Sequence, residues 1–136
     1  MSHDPGKLRI MLVDDEPFQL RLLTRTLLNL GCTQVSPFDS GELALRSIAW
    51  DPPYDVIVLD VNMPGMDGIE FIRRLADCRY AGAVVLVSGE NERLLDSIER
   101  LIVSHRLRSL GHLVKPVRPE SLKLLLQQLG QPDAGL

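Results

Sequence analysis

Val56-Ile57-Val58-Leu59-Asp60-Val61-Asn62-Met63-Pro64-Gly65-Met66-Asp67-Gly68 decides how this chain folds. Four apolar residues lead straight into an aspartate. A proline and two glycines then turn the chain into a loop rather than a longer strand. Just downstream, Ile69, Ile72 and Leu75 recur at the spacing of a helix's buried side. The stretch therefore reads as strand, acidic terminus, loop and helix.

The same unit recurs on both sides. Leu8–Val13 is nearly continuous apolar, as a strand buried on both faces should be, and it ends in Asp14-Asp15. Pro17 suits the first turn of a helix whose apolar face is Phe18, Leu20, Leu23, Leu27 and Leu28, with Gly31 as the stop. Gln34–Phe38 reads as a second strand. Asp39 or Ser40 would cap a helix running to about Trp50, with Leu43, Ala44 and Ile48 facing in, and Asp51-Pro52-Pro53 ends it. Beyond the opening stretch, Ala83–Val87 is a fourth strand ending at Ser88. Glu90 to about Leu107 reads as a helix with Leu94, Ile98, Leu101, Ile102 and His105 near one face. Gly111–Val114 is a fifth strand ending at Lys115-Pro116, and Pro119 to about Leu129 is a last helix carrying Leu122, Leu125, Leu126 and Leu129.

Strands alternating with helices predict a parallel α/β sheet with right-handed crossovers. Ligands in such sheets bind beyond the carboxyl ends of the strands. That rule gathers Asp14, Asp15, Asp60, Ser88 and Lys115 at one edge. The set suits a divalent cation and a phosphoryl group, with Asp60 as the acceptor.

The 136 residues are expected to form a single domain, 1–136, with a core over about 7–129 and a loose tail over 130–136. Hydrophobic residues make up 45%, which excludes a disordered chain. A net charge of −3 gives no general attraction to nucleic acid or anionic membranes. No apolar run approaches the roughly 20 residues of a membrane span, and the start lacks the apolar core of a signal peptide. Cys32 and Cys78 are unpatterned and read as plain thiols. A cytoplasmic location is expected.

Two bare carboxylates about 4 Å apart repel by roughly 4 kcal/mol at an effective dielectric near 20. Three gathered together need a cation or a shared proton. An all-oxygen set selects a hard ion such as Mg²⁺. Each residue alone has a plainer role: Asp14 or Asp15 capping the first helix, Asp60 ending a strand at a turn, Ser88 in an ordinary turn, Lys115 exposed on a loop. Their convergence from separate strand ends favours the site. The Lys115-Pro116 bond is a candidate for the cis form.

Val13-Asp14-Asp15-Glu16, the stretch Leu59 to Gly68, Val87-Ser88-Gly89 and Val114-Lys115-Pro116 together resemble the receiver domain of bacterial two-component response regulators. The resemblance covers about Lys7 to Leu129. It implies a doubly wound sandwich with a five-stranded parallel sheet in flavodoxin-like order 2-1-3-4-5. It implies that Asp60 takes a phosphoryl group from the phosphohistidine of a sensor histidine kinase or histidine phosphotransfer protein. Asp15, Asp60 and the backbone carbonyl of Asn62 would ligate Mg²⁺, and Asp14 would act through a water. Ser88 would move to the phosphoryl group and Lys115 would pair with it. The event would switch the surface of the fourth helix, fifth strand and fifth helix, read by an output domain or protein or by a second copy of the chain. No direct nucleic-acid or membrane partner is implied. The only chemistry expected is self-phosphorylation and slow autodephosphorylation, not that of an enzyme.

Two features depart from that pattern. Many members carry Tyr or Phe three residues before the lysine, where this chain has His112, a smaller, titratable switch candidate. The stretch from Ser88 to Lys115 is longer than usual, with a surplus around Val103–Leu110 that includes His105, Arg106 and Arg108. An extended fourth helix or following loop is expected there. Such elongation resembles receivers attached to cyclic-di-GMP phosphodiesterase outputs. Asn62 and Glu90 would flank the path of the hydrolytic water. The chain either acts alone or belongs to a longer regulator.

Three other classes are disfavoured. A haloacid-dehalogenase-type phosphotransferase would want a second acid two residues after Asp60, where Asn62 stands. A pseudo-receiver that only mediates assembly would have lost part of the acceptor set, which is intact. No glycine-rich phosphate loop follows the first strand, so nucleotide binding is not expected.

Overall fold

The computed structural model describes residues 4–50, 53–63, 68–89 and 92–130. Five strands, β1 (Arg9–Val13), β2 (Gln34–Phe38), β3 (Val56–Asp60), β4 (Ala83–Ser88) and β5 (Arg108–Val114), form one sheet in the order β2-β1-β3-β4-β5. Every pairing is parallel. The helices between and after them are α1 (Pro17–Asn29), α2 (Gly41–Trp50), α3 (Gly68–Asp77), α4 (Glu92–Ser104) and α5 (Pro119–Gln127). The expected doubly wound fold is therefore present.

The continuous apolar strands feed two cores by alternation. Ile10, Leu12, Val56, Val58, Val85 and Val87 pack with Leu20, Leu23 and Leu27 of α1 and Leu122 and Leu126 of α5. Met11, Val13, Ile57, Leu59, Val84 and Leu86 pack with Phe71, Ile72 and Leu75 of α3 and Leu95, Ile98 and Ile102 of α4. Successive side chains point to opposite faces, so a strand covered on both sides has no polar position to spare.

Several expectations fail in detail. Phe18, Leu28 and Leu43 are exposed, not buried. On α1 the buried stripe narrows to Leu20, Leu23 and Leu27. On α2 it runs through Ala44 and Leu45, leaving Leu43 on the outer face. Past Val103, α4 has one more residue, Ser104, and three residues then lead to β5, so the helix stops short of Leu107. The stretch from Val103 to Leu110 thus holds the end of α4, a turn at His105 and Arg106, Leu107, and the first residues of β5. His105 is consequently exposed beyond the helix. The register slips between Val84 and Val85, so that Val84 faces Ser109 while Val85 faces Gly111 and Leu110 is the extra residue. Gly111 has φ +129, a conformation that L side chains rarely adopt. Pro64–Asp67, Glu90 and the tail 131–136 lie outside the described residues. Among the described residues, no helix is long and apolar enough to cross a membrane.

Candidate phosphoacceptor and metal site

Strand register alone assembles the edge. Val13 pairs with Leu59, so Asp14 and Asp60 emerge side by side. Ser88 pairs with Val114, so Lys115 emerges next to them, and its N–H donates to the Ser88 carbonyl at 2.9 Å. One carboxylate oxygen from each of Asp14, Asp15 and Asp60 lies within 4.8 Å of the others. Asp14, Asp60 and Ser88 are buried, at 1%, 5% and 3% exposure, whereas Asp15 is exposed at the rim.

Each carboxylate is held differently. Asp60 Oδ1 accepts the Asn62 N–H at 3.0 Å, and Oδ2 accepts Lys115 Nζ at 3.1 Å. Asp14 Oδ1 accepts the Glu16 N–H at 2.9 Å. Asp14 Oδ2 has no hydrogen-bond partner and stands 3.5 Å from Lys115 Nζ. A buried acceptor left open in this way is costly unless something cationic answers it.

The electrostatics follow the geometry. Burial pushes the Asp14 carboxyl above its ordinary value, and the neighbouring Asp60 adds to the rise, while the Glu16 N–H and Lys115 oppose it. Burial alone would lower Lys115. Its bond to Asp60 and the charges of Asp60 and Asp14 outweigh that and raise it. The lysine is thus held charged by the carboxylates it serves.

The first helix is capped by neither Asp14 nor Asp15. Glu16 is the N-cap, accepting the Phe18 N–H at 3.2 Å ahead of Pro17. The two aspartates are therefore not the helix's capping residue. An acidic side chain directly before a helix-starting proline was the available signal.

Asn62 contributes a contact that sequence reasoning missed. Its side-chain Oδ1 accepts the Gly89 N–H at 3.0 Å and lies 3.4 Å from Ser88 Oγ. His112 lies on β5 with its side chain 43% exposed, and Nδ1 is 3.2 Å from Glu99 Oε1 on α4. It stands apart from the acidic edge. The Lys115-Pro116 bond is cis, as the sequence suggested. Among the described residues this acidic set is the cluster able to hold a metal. Its all-oxygen donors and the open Asp14 Oδ2 fit a hard divalent cation.

The family model of the response regulator receiver domain matches residues 10–127. The positive alginate biosynthesis regulatory protein of Pseudomonas aeruginosa is 33% identical over 128 residues, 93% of this chain and 48% of that protein. Chemotaxis protein CheY of the same organism is 31% identical over 124 residues, 90% of this chain and 95% of that protein. A response regulator crystal structure from Colwellia psychrerythraea matches with a TM-score of 0.76 at 32% identity, covering 90% of this chain and 95% of that one. The chain spans roughly half the length of several curated relatives it matches, at 48%, 55% and 44%, and nearly all of CheY. With the sheet order and the acidic edge in place, these matches mean that the chain belongs to the response regulator receiver domain family, whose members are signalling switches rather than classical enzymes.

Proposed function

We propose that this chain is the phosphoacceptor unit of a two-component phosphorelay, with Asp60 as the acceptor. The observation that carries the reading is Lys115 Nζ, 3.1 Å from Asp60 Oδ2 and 3.5 Å from the open Asp14 Oδ2. An ammonium placed between two carboxylates suits a site that receives further negative charge.

An Asp60 carboxylate oxygen attacks the phosphorus of a partner's phosphohistidine. The new O–P bond forms as the P–N bond breaks, and the electron pair returns to the imidazole nitrogen. A carboxylate is a weak nucleophile, so the chain contributes chiefly positioning and charge neutralisation. The Asn62 N–H fixes one Asp60 oxygen, and Lys115 neutralises developing charge on the other side. Asp15, Asp60 and the Asn62 backbone carbonyl would hold Mg²⁺, with Asp14 acting through a bound water. When bound, the ion supplies neutralisation of the carboxylates and of the incoming phosphoryl oxygens.

The product carries about −2 charge at the sheet edge. Ser88 moves to it and donates its hydroxyl. The change reaches the α4–β5–α5 face, where His112 and Glu99 join β5 to α4. A linked output region, a separate protein or a second copy then reads that face. The half-length match to the longer relatives supports a linked output, and near-full coverage of CheY supports a separate one.

Intact-mass measurement after acetyl phosphate treatment with Mg²⁺ tests the acceptor. Wild type gains one phosphoryl mass and Asp60→Asn gains none. An adduct on the Asn variant contradicts the assignment. For His112, beryllofluoride with Mg²⁺ shifts its ring resonances, and unchanged resonances remove it from the switch.

A further inference from the structure

The Asn62 side chain joins the loop after β3 to the loop after β4. Its Oδ1 accepts the Gly89 N–H at 3.0 Å and stands 3.4 Å from Ser88 Oγ. A backbone N–H can only donate, so the amide oxygen, not the NH₂, faces this loop. Ser88 is 3% exposed, which leaves its hydroxyl little water to turn to. Asn62 also sends its own N–H to Asp60 Oδ1 at 3.0 Å. One residue thus touches the acceptor through its main chain and the hydroxyl through its side chain.

We propose that Asn62 is a positioning residue that latches Ser88 and Gly89 in the unphosphorylated arrangement, so that a phosphoryl group on Asp60 competes with its amide oxygen for the Ser88 hydroxyl. The inference rests on the receiver reading above. A serine hydroxyl has one proton, and while Asn62 Oδ1 accepts it no phosphoryl oxygen can. The bond from Gly89 is the shorter of the two and anchors the latch. A charged phosphoryl oxygen is the stronger acceptor, so phosphorylation wins the competition, but only after the amide contact is surrendered. Free energy spent on opening the latch is subtracted from the bias toward the switched state. Asn62 therefore sets the threshold of the switch rather than performing its chemistry.

Three forms of the full chain test this by ¹⁵N NMR: wild type, Asn62→Ala and Asn62→Asp. Without ligand, Asn62→Ala moves the Gly89 amide resonance and speeds its hydrogen exchange. Asn62→Asp, which keeps an acceptor, leaves that amide protected. With Mg²⁺ and beryllofluoride as the phosphoryl stand-in, Asn62→Ala binds tighter by roughly fivefold, the scale of one neutral hydrogen bond. Simple damage to the loop would weaken binding, so the direction separates latch from scaffold. An unmoved Gly89 amide in Asn62→Ala, or an equal or lower beryllofluoride affinity, overturns the proposal. A wild type that takes up no beryllofluoride would overturn the receiver reading and the competition with it. The Gly89 exchange would still decide whether the Asn62 bond exists.

Discussion

The two ends of this sheet treat polar groups in opposite ways. At the amino end, Asp55 accepts the Arg9 N–H at 2.8 Å, and the Tyr80 hydroxyl faces the carbonyls of Tyr54 and Ala83, each at 3.2 Å. Burial, with Asp55 and Cys78 adding to it, pushes the Tyr80 phenol far above its ordinary range, so it stays a neutral donor. At the carboxyl end, Asp14 and Asp60 flank one lysine, Asp15 stands beside them, and a buried oxygen of Asp14 has no hydrogen bond. One end uses polar groups to close the structure. The other keeps like charges together at a cost to stability, which is what leaves them free for ligands.

Substitutions at the amino end should therefore destabilise, and neutralising the carboxyl end should not. Asp55→Ala strips the acceptor from the Arg9 N–H and should lower unfolding free energy by about 1–3 kcal/mol in urea melts. A neutral result would mean that end is not closed by its hydrogen bonds. Tyr80→Phe removes one shared donor from two carbonyls and should cost about 1 kcal/mol by the same measurement. The smallest effect concerns a helix end. Arg106 has φ +61, and Arg106→Gly relieves that conformation, so a gain of about 0.5–1 kcal/mol is expected in thermal melts. Because Arg106 lies outside both polar clusters, that gain should be independent of Mg²⁺. Dependence on the ion would couple the turn to the acidic edge.

Arg106 also explains where the sequence was hard to read. Helices α1, α3 and α4 end in one motif. Gly31, Arg79 and Arg106 donate to the Leu28, Ala76 and Val103 carbonyls, and Cys32, Tyr80 and Leu107 donate to those of Leu27, Leu75 and Ile102. All three turn residues have positive φ. Gly31 announced its stop, whereas an arginine at Arg106 did not, so α4 was expected to reach Leu107. The residue after that turn is buried in the core, and β5 starts at once. Strand ends were legible because an apolar run followed by Asp, Ser or Lys marks where burial stops. The parallel order then brought Asp14, Asp60, Ser88 and Lys115 together. The Asn62 side chain was not legible, since its partners lie 26 and 27 residues away, at the end of β4 and just past it. Glu16 was harder to separate from Asp14 and Asp15 as the cap, because three acids stand in a row and only its place directly before Pro17 marks it out.

The cost at the carboxyl end also has a pH signature, to be read with chelator present. The folded Asp14 carboxyl titrates above its ordinary 3.8. Between those two values the folded chain binds more protons than the unfolded one, so this contribution is full below pH 3.8 and is lost as pH rises through the raised value. Lys115, raised from 10.5, contributes stability below that pH and loses it as pH climbs through its folded value. Asp14→Asn should remove the acid-side trend while keeping an acceptor for the Glu16 N–H.

The central claim is that the acidic edge is destabilising until a divalent cation answers it. Urea unfolding of wild type and Asp14→Asn across a Mg²⁺ titration tests this most directly. Without Mg²⁺ the variant should be the more stable by about 0.5–2 kcal/mol. Wild type should then gain stability with Mg²⁺, by about 1.4 kcal/mol at ten times its dissociation constant, while the variant's gain at the same concentrations is much smaller. A variant less stable than wild type in chelator, or one that gains as much from Mg²⁺, would contradict the account.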